Sequence, residues 1–333
     1  MPPWHTEPPR SYPKLDTHVH ATGPKDELIP MLDALGVKSV LNLSYSGFRD
    51  TDAIQAFEDA LLVDADEYPG RFRFAATFNV TQFNEPGYAD RVIAKLERDI
   101  EVHGAVAVKI WKDLGMLLTD DQGHYVFCDD VPFTPIFDYI AAKGLVVYSH
   151  IADPLAGWQS LDVPTPHTRY YRAHPEFHWY GQPDKPSHAE ILRHRDALVA
   201  RYPKTPFVGA HLASLEYDLE VLAEFLDSFP NAHIDTAARV PDLMLKPDDQ
   251  VRGFFAKYQD RILYGTDWEY DGNSLGDSPA EKTARRNACI ESRCCAFVYF
   301  EDTLALPEEI LHKFYFDNAN ALFGCPARPG DGA

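Results

Sequence analysis

Five residues of the types that bind metal ions each lie near the end of a short apolar segment. They are His18 and His20 in Leu-Asp-Thr-His-Val-His, His150 in Tyr-Ser-His, His211 in Gly-Ala-His and Asp267 in Tyr-Gly-Thr-Asp. Imidazole nitrogen together with carboxylate oxygen is the ligand set that zinc and similar first-row divalent ions prefer. If these side chains meet in the fold, their chemistry is that of a divalent metal site.

The apolar segments that end in these residues are typical of β-strands in a parallel sheet. Eight such runs occur, at residues 12–20, 38–44, 73–80, 106–111, 145–151, 207–212, 232–237 and 262–268. Amphipathic helical stretches lie between them, at residues 25–35, 53–68, 88–103, 133–143, 189–201, 215–228 and 249–258. Strand followed by helix, repeated eight times, predicts an α/β fold with a parallel sheet. We expect a (β/α)8 barrel of the TIM type.

The barrel explains how distant residues can share one site. In such barrels the active site forms at the C-terminal ends of the strands. His18 and His20 are two residues apart in a strand and therefore project to the same side. The predicted fifth, sixth and eighth strands end near His150, His211 and Asp267. We expect all five side chains to converge at this end of the barrel.

The same motifs resemble those of the amidohydrolase superfamily. The similarity rests on Asp-Thr-His-Val-His at residues 16–20, the two histidines at the ends of strands five and six, and Gly-Thr-Asp at residues 265–267. The C-terminal sequence Phe-Asp-Asn-Ala-Asn-Ala-Leu-Phe-Gly at residues 316–324 resembles the closing helix of the amidohydrolase-2 branch. The resemblance extends from about residue 15 to residue 324. Members of this branch hydrolyse C–N and C–O bonds or decarboxylate aromatic acids without oxidation.

The resemblance implies a role for each of the five residues. His18, His20, His150 and Asp267 would bind one divalent ion, and the ligand types favour zinc. Asp267 would also accept a proton from water. His211 would lie nearby as a catalytic residue that moves a proton or polarises the scissile carbonyl.

Lys109 ends the fourth predicted strand in Val-Ala-Val-Lys-Ile-Trp. Three interpretations remain open. In some members of the superfamily a carboxylated lysine on this strand bridges two metals, which would add a second ion. Alternatively, Lys109 binds an anionic group of the substrate, or its ammonium group forms a structural pair with a carboxylate.

Three arginines are candidates for substrate binding. About 35 residues with little helical pattern separate residue 151 from the helix near residue 187, and a loop of that length is usually functional. It is rich in aromatic residues, and we expect it to fold over the barrel like a lid. It contains Arg169 and Arg172, which could bind a carboxylate or pack on a ring. Arg239, just past the seventh strand, is the third candidate.

Composition narrows the partners and the location. The 333 residues carry a formal net charge of −20, which repels phosphate backbones and anionic membrane surfaces and so argues against nucleic acid or membrane partners. The sequence shows no signal-peptide core or membrane-spanning run, and its five cysteines are an odd number, so we expect a cytoplasmic protein. We expect a single domain, residues 1–333, with a core at 11–324 and tails at 1–10 and 325–333. The partner would be a small molecule, one that could carry a carboxylate, and a homo-oligomer is possible.

Three functions fit these observations. The first is a metal-dependent hydrolase of a small amide, lactone or ester. The second is a metal-dependent decarboxylase of a ring carboxylic acid, which would use the same ligands. The third is a non-catalytic barrel that binds a metal or ligand. The non-catalytic barrel ranks last, because every polar group that the chemistry needs is present. The hydrolase is our first expectation, although the sequence barely separates it from the decarboxylase.

Overall fold

The computed structural model describes residues 12–23, 25–44, 50–68, 70–270 and 278–324. The two predicted tails therefore lie outside the described residues. Within the described part of the chain, no helix combines the length and the apolar character needed to cross a bilayer. Cys128, Cys289, Cys294 and Cys295 are free thiols there.

The described residues contain nine parallel strands in one sheet. They are β1 (Lys14–Ala21), β2 (Val37–Leu43), β3 (Phe72–Ala76), β4 (Ala107–Ile110), β5 (Val146–Ser149), β6 (Phe207–Gly209), β7 (Ala232–Asp235), β8 (Ile262–Leu263) and β9 (Trp268–Tyr270). Each of the first seven predicted runs overlaps one strand, and the eighth overlaps both β8 and β9. The runs are apolar almost throughout because strands of a covered parallel sheet are buried on both faces.

The segment that contains β8 and β9 closes the sheet into a barrel. β8 pairs with β7, and β9 pairs with β1 on the other side. Between them, the Thr17 amide donates to the Tyr264 carbonyl at 2.9 Å, and the Asp267 amide donates to the His18 carbonyl at 2.8 Å. The strands otherwise follow one another around the barrel in chain order. The predicted (β/α)8 barrel is confirmed.

Helices surround the barrel between the strands. The main ones are Lys25–Ala34, Thr51–Glu67, Tyr88–Glu101, Thr134–Ala142, His188–Arg201, Leu219–Ser228, Asp248–Lys257 and Pro279–Val298. The helix His188–Arg201 begins where the Ser187 side chain accepts a hydrogen bond from the Glu190 amide. It buries one face, which includes Ile191, Arg195 and Leu198, against the barrel. This helix supports the segment that follows β6.

The C-terminal helix Asn318–Phe323 closes the barrel at the N-terminal ends of the strands. The ring of Phe323 stacks at 6.1 Å on that of Tyr148, which is buried inside the barrel. The side-chain amide of Asn318 donates to the Ile262 carbonyl at 2.9 Å, and Oδ1 of Asn320 accepts from Arg73 at 3.1 Å. The C-terminal ends of the strands lie at the opposite end of the barrel, which we call the barrel mouth.

The connection from residue 151 to residue 187 contains more helix than its sequence predicts. It includes the short helical segments Leu155–Trp158, Thr168–Ala173 and Pro175–Phe177. Trp158 and Trp179 pack edge to face with ring centroids 5.5 Å apart, and the Trp158 indole donates to the Pro186 carbonyl at 2.9 Å. The connection is therefore an ordered, aromatic-rich structure. Helical periodicity is hard to read here because no piece is longer than two turns.

Candidate metal centre

The structure brings the five candidate residues together at the barrel mouth. His18 and His20 lie on β1 with ring centroids 5.3 Å apart. His211 lies 4.7 Å from His18 and 4.3 Å from His150, measured between ring centroids. Oδ1 of Asp267 is 3.2 Å from Nε2 of His18 and 3.7 Å from Nε2 of His20. We call these five residues the histidine–aspartate cluster.

Hydrogen bonds at Nδ1 orient three of the four imidazoles. His18 donates to Asp235 at 2.8 Å, His20 to the Leu43 carbonyl at 3.0 Å, and His211 to the Ala237 carbonyl at 2.9 Å. A histidine that ligates a metal typically donates its other ring nitrogen in this way. The contacts place the proton on Nδ1 and leave the Nε2 lone pair of each ring for the cluster.

The donor set has the dimensions of a zinc site. His18, His20 and Asp267 offer ligand atoms that all lie within 4.8 Å of one another. Bonds of about 2.1 Å in a tetrahedron would separate ligand atoms by about 3.4 Å. The distances of 3.2 and 3.7 Å from Asp267 to the two histidines agree with this value. His150 is not a member of this group of three. Its Nε2 is buried, has no hydrogen-bond partner among the described residues and lies 3.7 Å from Oδ1 of Asp153.

The protonation states also suit a metal. Burial lowers the pKa of His20 to about 3, with the neighbouring His18 adding to the effect. Burial likewise holds the pKa of His150 and of His211 well below the ordinary value. Burial alone would raise the pKa of Asp267, but His18 and the other imidazoles hold it below its ordinary value. Neutral imidazoles and an ionised carboxylate are the forms that bind metal.

Asp235, at the end of β7, is a functional candidate that the sequence analysis missed. Its Oδ2 accepts hydrogen bonds from Nδ1 of His18 at 2.8 Å and from the hydroxyl of Tyr148 at 2.5 Å. Its Oδ1 accepts from the amides of His211 at 2.7 Å and Ala237 at 3.0 Å. One buried carboxylate thus orients His18 and anchors the backbone of His211. The sequence pattern that could have identified Asp235 is a carboxylate at the end of an apolar strand run.

Lys109 lies against the histidine–aspartate cluster. It is 2% exposed, and its Nζ is 3.4 Å from Nε2 of His18. Burial lowers the pKa of Lys109 to about 8, opposed by the charges of Asp235 and Asp267. The ammonium group also lies 4.8 Å from the ring centroid of Tyr148. The residue is placed to reach a group bound at the metal centre.

The family model for amidohydrolases matches residues 15–325. The chain belongs to the amidohydrolase family. The resemblance drawn from the strand-end motifs is confirmed, and this family generally binds a divalent metal, for which the cluster offers a site. Comparison with curated protein sequences finds no significant match.

Solved structures share the fold of this chain. A 2,6-dihydroxybenzoate decarboxylase from Rhizobium is 18% identical, with a TM-score of 0.61 over 94% of this chain and 98% of that chain. The TIM-barrel protein Bb4693 from Bordetella bronchiseptica is 12% identical, with a TM-score of 0.56 over 93% of this chain and 98% of that chain. At these identities the likeness is one of fold.

The three candidate arginines have different environments. Arg239 is 6% exposed, and Nη1 donates to the Ala238 carbonyl at 3.1 Å. Its positive charge contributes to the lowered pKa of His150 and of His211, so it lies beside the cluster. Arg169 and Arg172 are exposed on the helix Thr168–Ala173, and no hydrogen bond or ion pair among the described residues joins them to the cluster. We therefore retain Arg239 alone in the proposal below.

The sequence analysis missed further polar groups of the barrel mouth. Lys112 and Asp153 form a buried ion pair at 2.6 Å, and Asp153 Oδ1 lies 3.7 Å from Nε2 of His150. Glu216 accepts from the Leu155 amide at 3.0 Å. Near the barrel mouth, buried carboxylate atoms without a hydrogen-bond partner among the described residues include Oδ2 of Asp153, Oε2 of Glu216 and Oδ2 of Asp242. All follow strand ends by a few residues, which is the one signal that could have found them.

Proposed function

We propose that this protein is a metal-dependent hydrolase of a small amide, lactone or ester. His18, His20, His150 and Asp267 would hold one zinc ion. The observation that carries the proposal is the convergence of Oδ1 of Asp267 with Nε2 of His18 and of His20, at 3.2 and 3.7 Å. Bound there, the ion would polarise a carbonyl oxygen and lower the pKa of a water molecule toward about 7.

The chain's own residues supply the proton transfers. Asp267 has a side chain that is 32% exposed, so its second oxygen is accessible at the mouth. It accepts the proton of the water that attacks the carbonyl carbon. His211 donates Nδ1–H to the Ala237 carbonyl, which leaves its neutral Nε2 free to receive from Asp267 the proton taken from water and to pass it to the leaving group.

Lys109 and Arg239 are the proposed substrate contacts. Nζ of Lys109 lies beside the ligand atom of His18, where it would meet an oxygen of the reacting group. Arg239 would contact the remote part of the substrate. If Lys109 is instead carboxylated, it would bridge a second metal, and the metal content distinguishes these two roles.

Decarboxylation of a ring carboxylic acid is the second candidate. The buried cations Lys109 and Arg239 favour it because they lie beside the cluster and would attract a carboxylate. A 2,6-dihydroxybenzoate decarboxylase whose fold is similar has been solved in complex with 2,6-dihydroxybenzoate.

One assay separates the candidates. The zinc-loaded protein is offered small lactones, esters and amides, and separately hydroxylated benzoic acids with detection of carbon dioxide. Ring opening or acyl cleavage that disappears in the His18→Ala and His20→Ala variants supports the hydrolase. Carbon dioxide release without hydrolysis supports the decarboxylase. Tight zinc binding without turnover of either panel supports a binding protein and contradicts both.

A further inference from the structure

The turn that carries His211 has a left-handed backbone. His211, Leu212, Ala213 and Ser214 are consecutive, and their φ angles lie between 55° and 59°. None of the four is glycine. L residues adopt this region at an energetic cost because Cβ approaches the neighbouring carbonyl oxygen, and runs of them are rare. Contacts elsewhere in the protein must hold this turn in place.

Arg195 supports the turn from the outside of the barrel. It is among the largest fully buried side chains in the described part of the chain. Its Nη1 donates to the Ala213 carbonyl, and its guanidinium carbon lies 4.4 Å from the ring centroid of Phe225. Its Nε donates to Oδ1 of Asp196 at 2.9 Å, and its Nη2 lies 2.8 Å from the same oxygen, which belongs to a partly exposed side chain. A buried guanidinium needs acceptors, and the acceptor that the interior provides here is a carbonyl of the left-handed turn.

Two side chains hold the turn from the inside. Oγ of Ser214 lies 3.0 and 2.8 Å from the carbonyl oxygens of Ile151 and Ala152, the residues that directly follow His150. The carboxylate of Asp235 accepts from the His211 amide at 2.7 Å. Ser214 therefore couples the position of His211 to the segment that carries His150.

The residue before the turn is adapted to it. A Cβ atom at Gly209 would lie 2.5 Å from Cβ of Ala213, closer than side-chain atoms approach each other. The last residue of β6 is thus glycine because the left-handed turn folds back over it. This close approach is independent evidence that the turn is a built feature of the barrel.

We propose that Arg195 is a positioning residue for His211. By binding the Ala213 carbonyl it holds the left-handed turn, and the turn directs the His211 ring toward His18 and His150. A right-handed turn would carry the ring away from the Ala237 carbonyl that orients it. The catalytic part of this inference rests on the proton-transfer role proposed above for His211.

The Arg195→Met variant tests the positioning role without reference to activity. In a crystal structure of the zinc-loaded variant, we expect Leu212 and Ala213 to leave the left-handed region and the contact from His211 to Ala237 to be lost. A turn that keeps its four positive φ angles overturns the inference. Activity is measured separately: misplacing the ring should lower kcat by about 100-fold while the zinc content is unchanged. A displaced turn with unchanged kcat contradicts the role of His211 instead.

A second variant keeps the test decisive if Arg195→Met folds poorly. Glycine adopts positive φ without strain, so Ala213→Gly should reduce the dependence of the turn on Arg195. In the Arg195→Met background, Ala213→Gly should restore about half of the decrease in the midpoint of thermal unfolding and part of the decrease in kcat. The matched control is Ala223→Gly in the right-handed helix Leu219–Ser228, which should lower the midpoint further by a few degrees, about 2–4 °C. Equal effects of the two glycines would overturn the inference.

Discussion

At the scale of single residues, the candidate metal centre depends on hydrogen bonds that orient its ligands. His18 is the clearest case, because Asp235 accepts its Nδ1 proton at 2.8 Å while Nε2 faces Asp267 at 3.2 Å. Asp235 is itself held by the hydroxyl of Tyr148 and the amide of His211. One buried carboxylate therefore connects a proposed ligand with a proposed catalytic histidine.

Replacing Asp235 by asparagine should weaken metal binding. The amide cannot match the charge that stabilises the Nδ1 proton of His18, and loss of such a partner typically costs 10- to 100-fold in metal affinity. Competition with a chromophoric zinc chelator measures the change. The control is Asp249→Asn, whose side chain is exposed on the helix Asp248–Lys257. Equal zinc affinities for the two variants would contradict the orienting role.

The sequence was sufficient to predict the five residues of the cluster but not their partners. His18, His20, His150, His211 and Asp267 follow apolar runs, and strand ends meet at one end of a barrel. The partners were missed because contacts between loops depend on the packed structure. Nothing in local sequence distinguishes the buried Arg239 from the exposed Arg169 and Arg172.

At the scale of elements, strand and helix positions follow from periodicity, while the breaks in them do not. The predicted run at residues 262–268 is interrupted after Leu263, and Asp267 adopts a φ of 60° before β9 begins. A Cβ at Gly265 would lie 3.1 Å from Cβ of His18, so packing against β1 decides this geometry. Local propensity does not predict the left-handed turn after β6 either, since Leu212 and Ala213 both favour right-handed helix.

The connection at residues 151–187 should depend on one contact for its closure over the barrel mouth. His167 precedes the helix Thr168–Ala173, and its Nε2 lies 2.9 Å from Asp242, which follows β7. We expect His167→Ala to accelerate amide hydrogen exchange at residues 165–174 by about tenfold and to raise KM, because the tether contributes about 1 kcal/mol or more. His174→Ala, at an exposed site on the same connection, serves as control. Unchanged exchange in His167→Ala would show that other contacts hold the connection.

At the scale of the whole molecule, eight strand–helix repeats were enough to predict the barrel, because a parallel sheet of eight units closes most readily on itself. Closure itself required β9 to pair with β1, and the base required Phe323 beneath Tyr148. The barrel leaves buried carboxylates in its loops, and these influence its stability.

Asp113 should make the stability of the protein depend on pH. It is fully buried, and burial raises the pKa of its carboxyl group to about 7. Between about pH 4 and pH 7 the folded state then holds a proton that the unfolded state has lost, so stability falls as pH rises through this window and levels off above it. The contribution is at most roughly 4 kcal/mol.

Chemical unfolding of Asp113→Asn beside the wild type checks this prediction. The variant should be more stable than the wild type at pH 8, by about 1 kcal/mol or more, and the difference should shrink at pH 5. A stability difference that is the same at both pH values would show that Asp113 does not titrate in this range.

The metal content of the protein tests the central claim most directly. Elemental analysis of protein purified without chelator, beside the Asp267→Ala variant, gives the number of ions per chain. We predict one zinc ion per chain in the wild type and a large loss in the variant, because Asp267 faces both His18 and His20. Two ions per chain would instead make Lys109 a carboxylated bridge. No bound metal, even after reconstitution with zinc, would contradict the account.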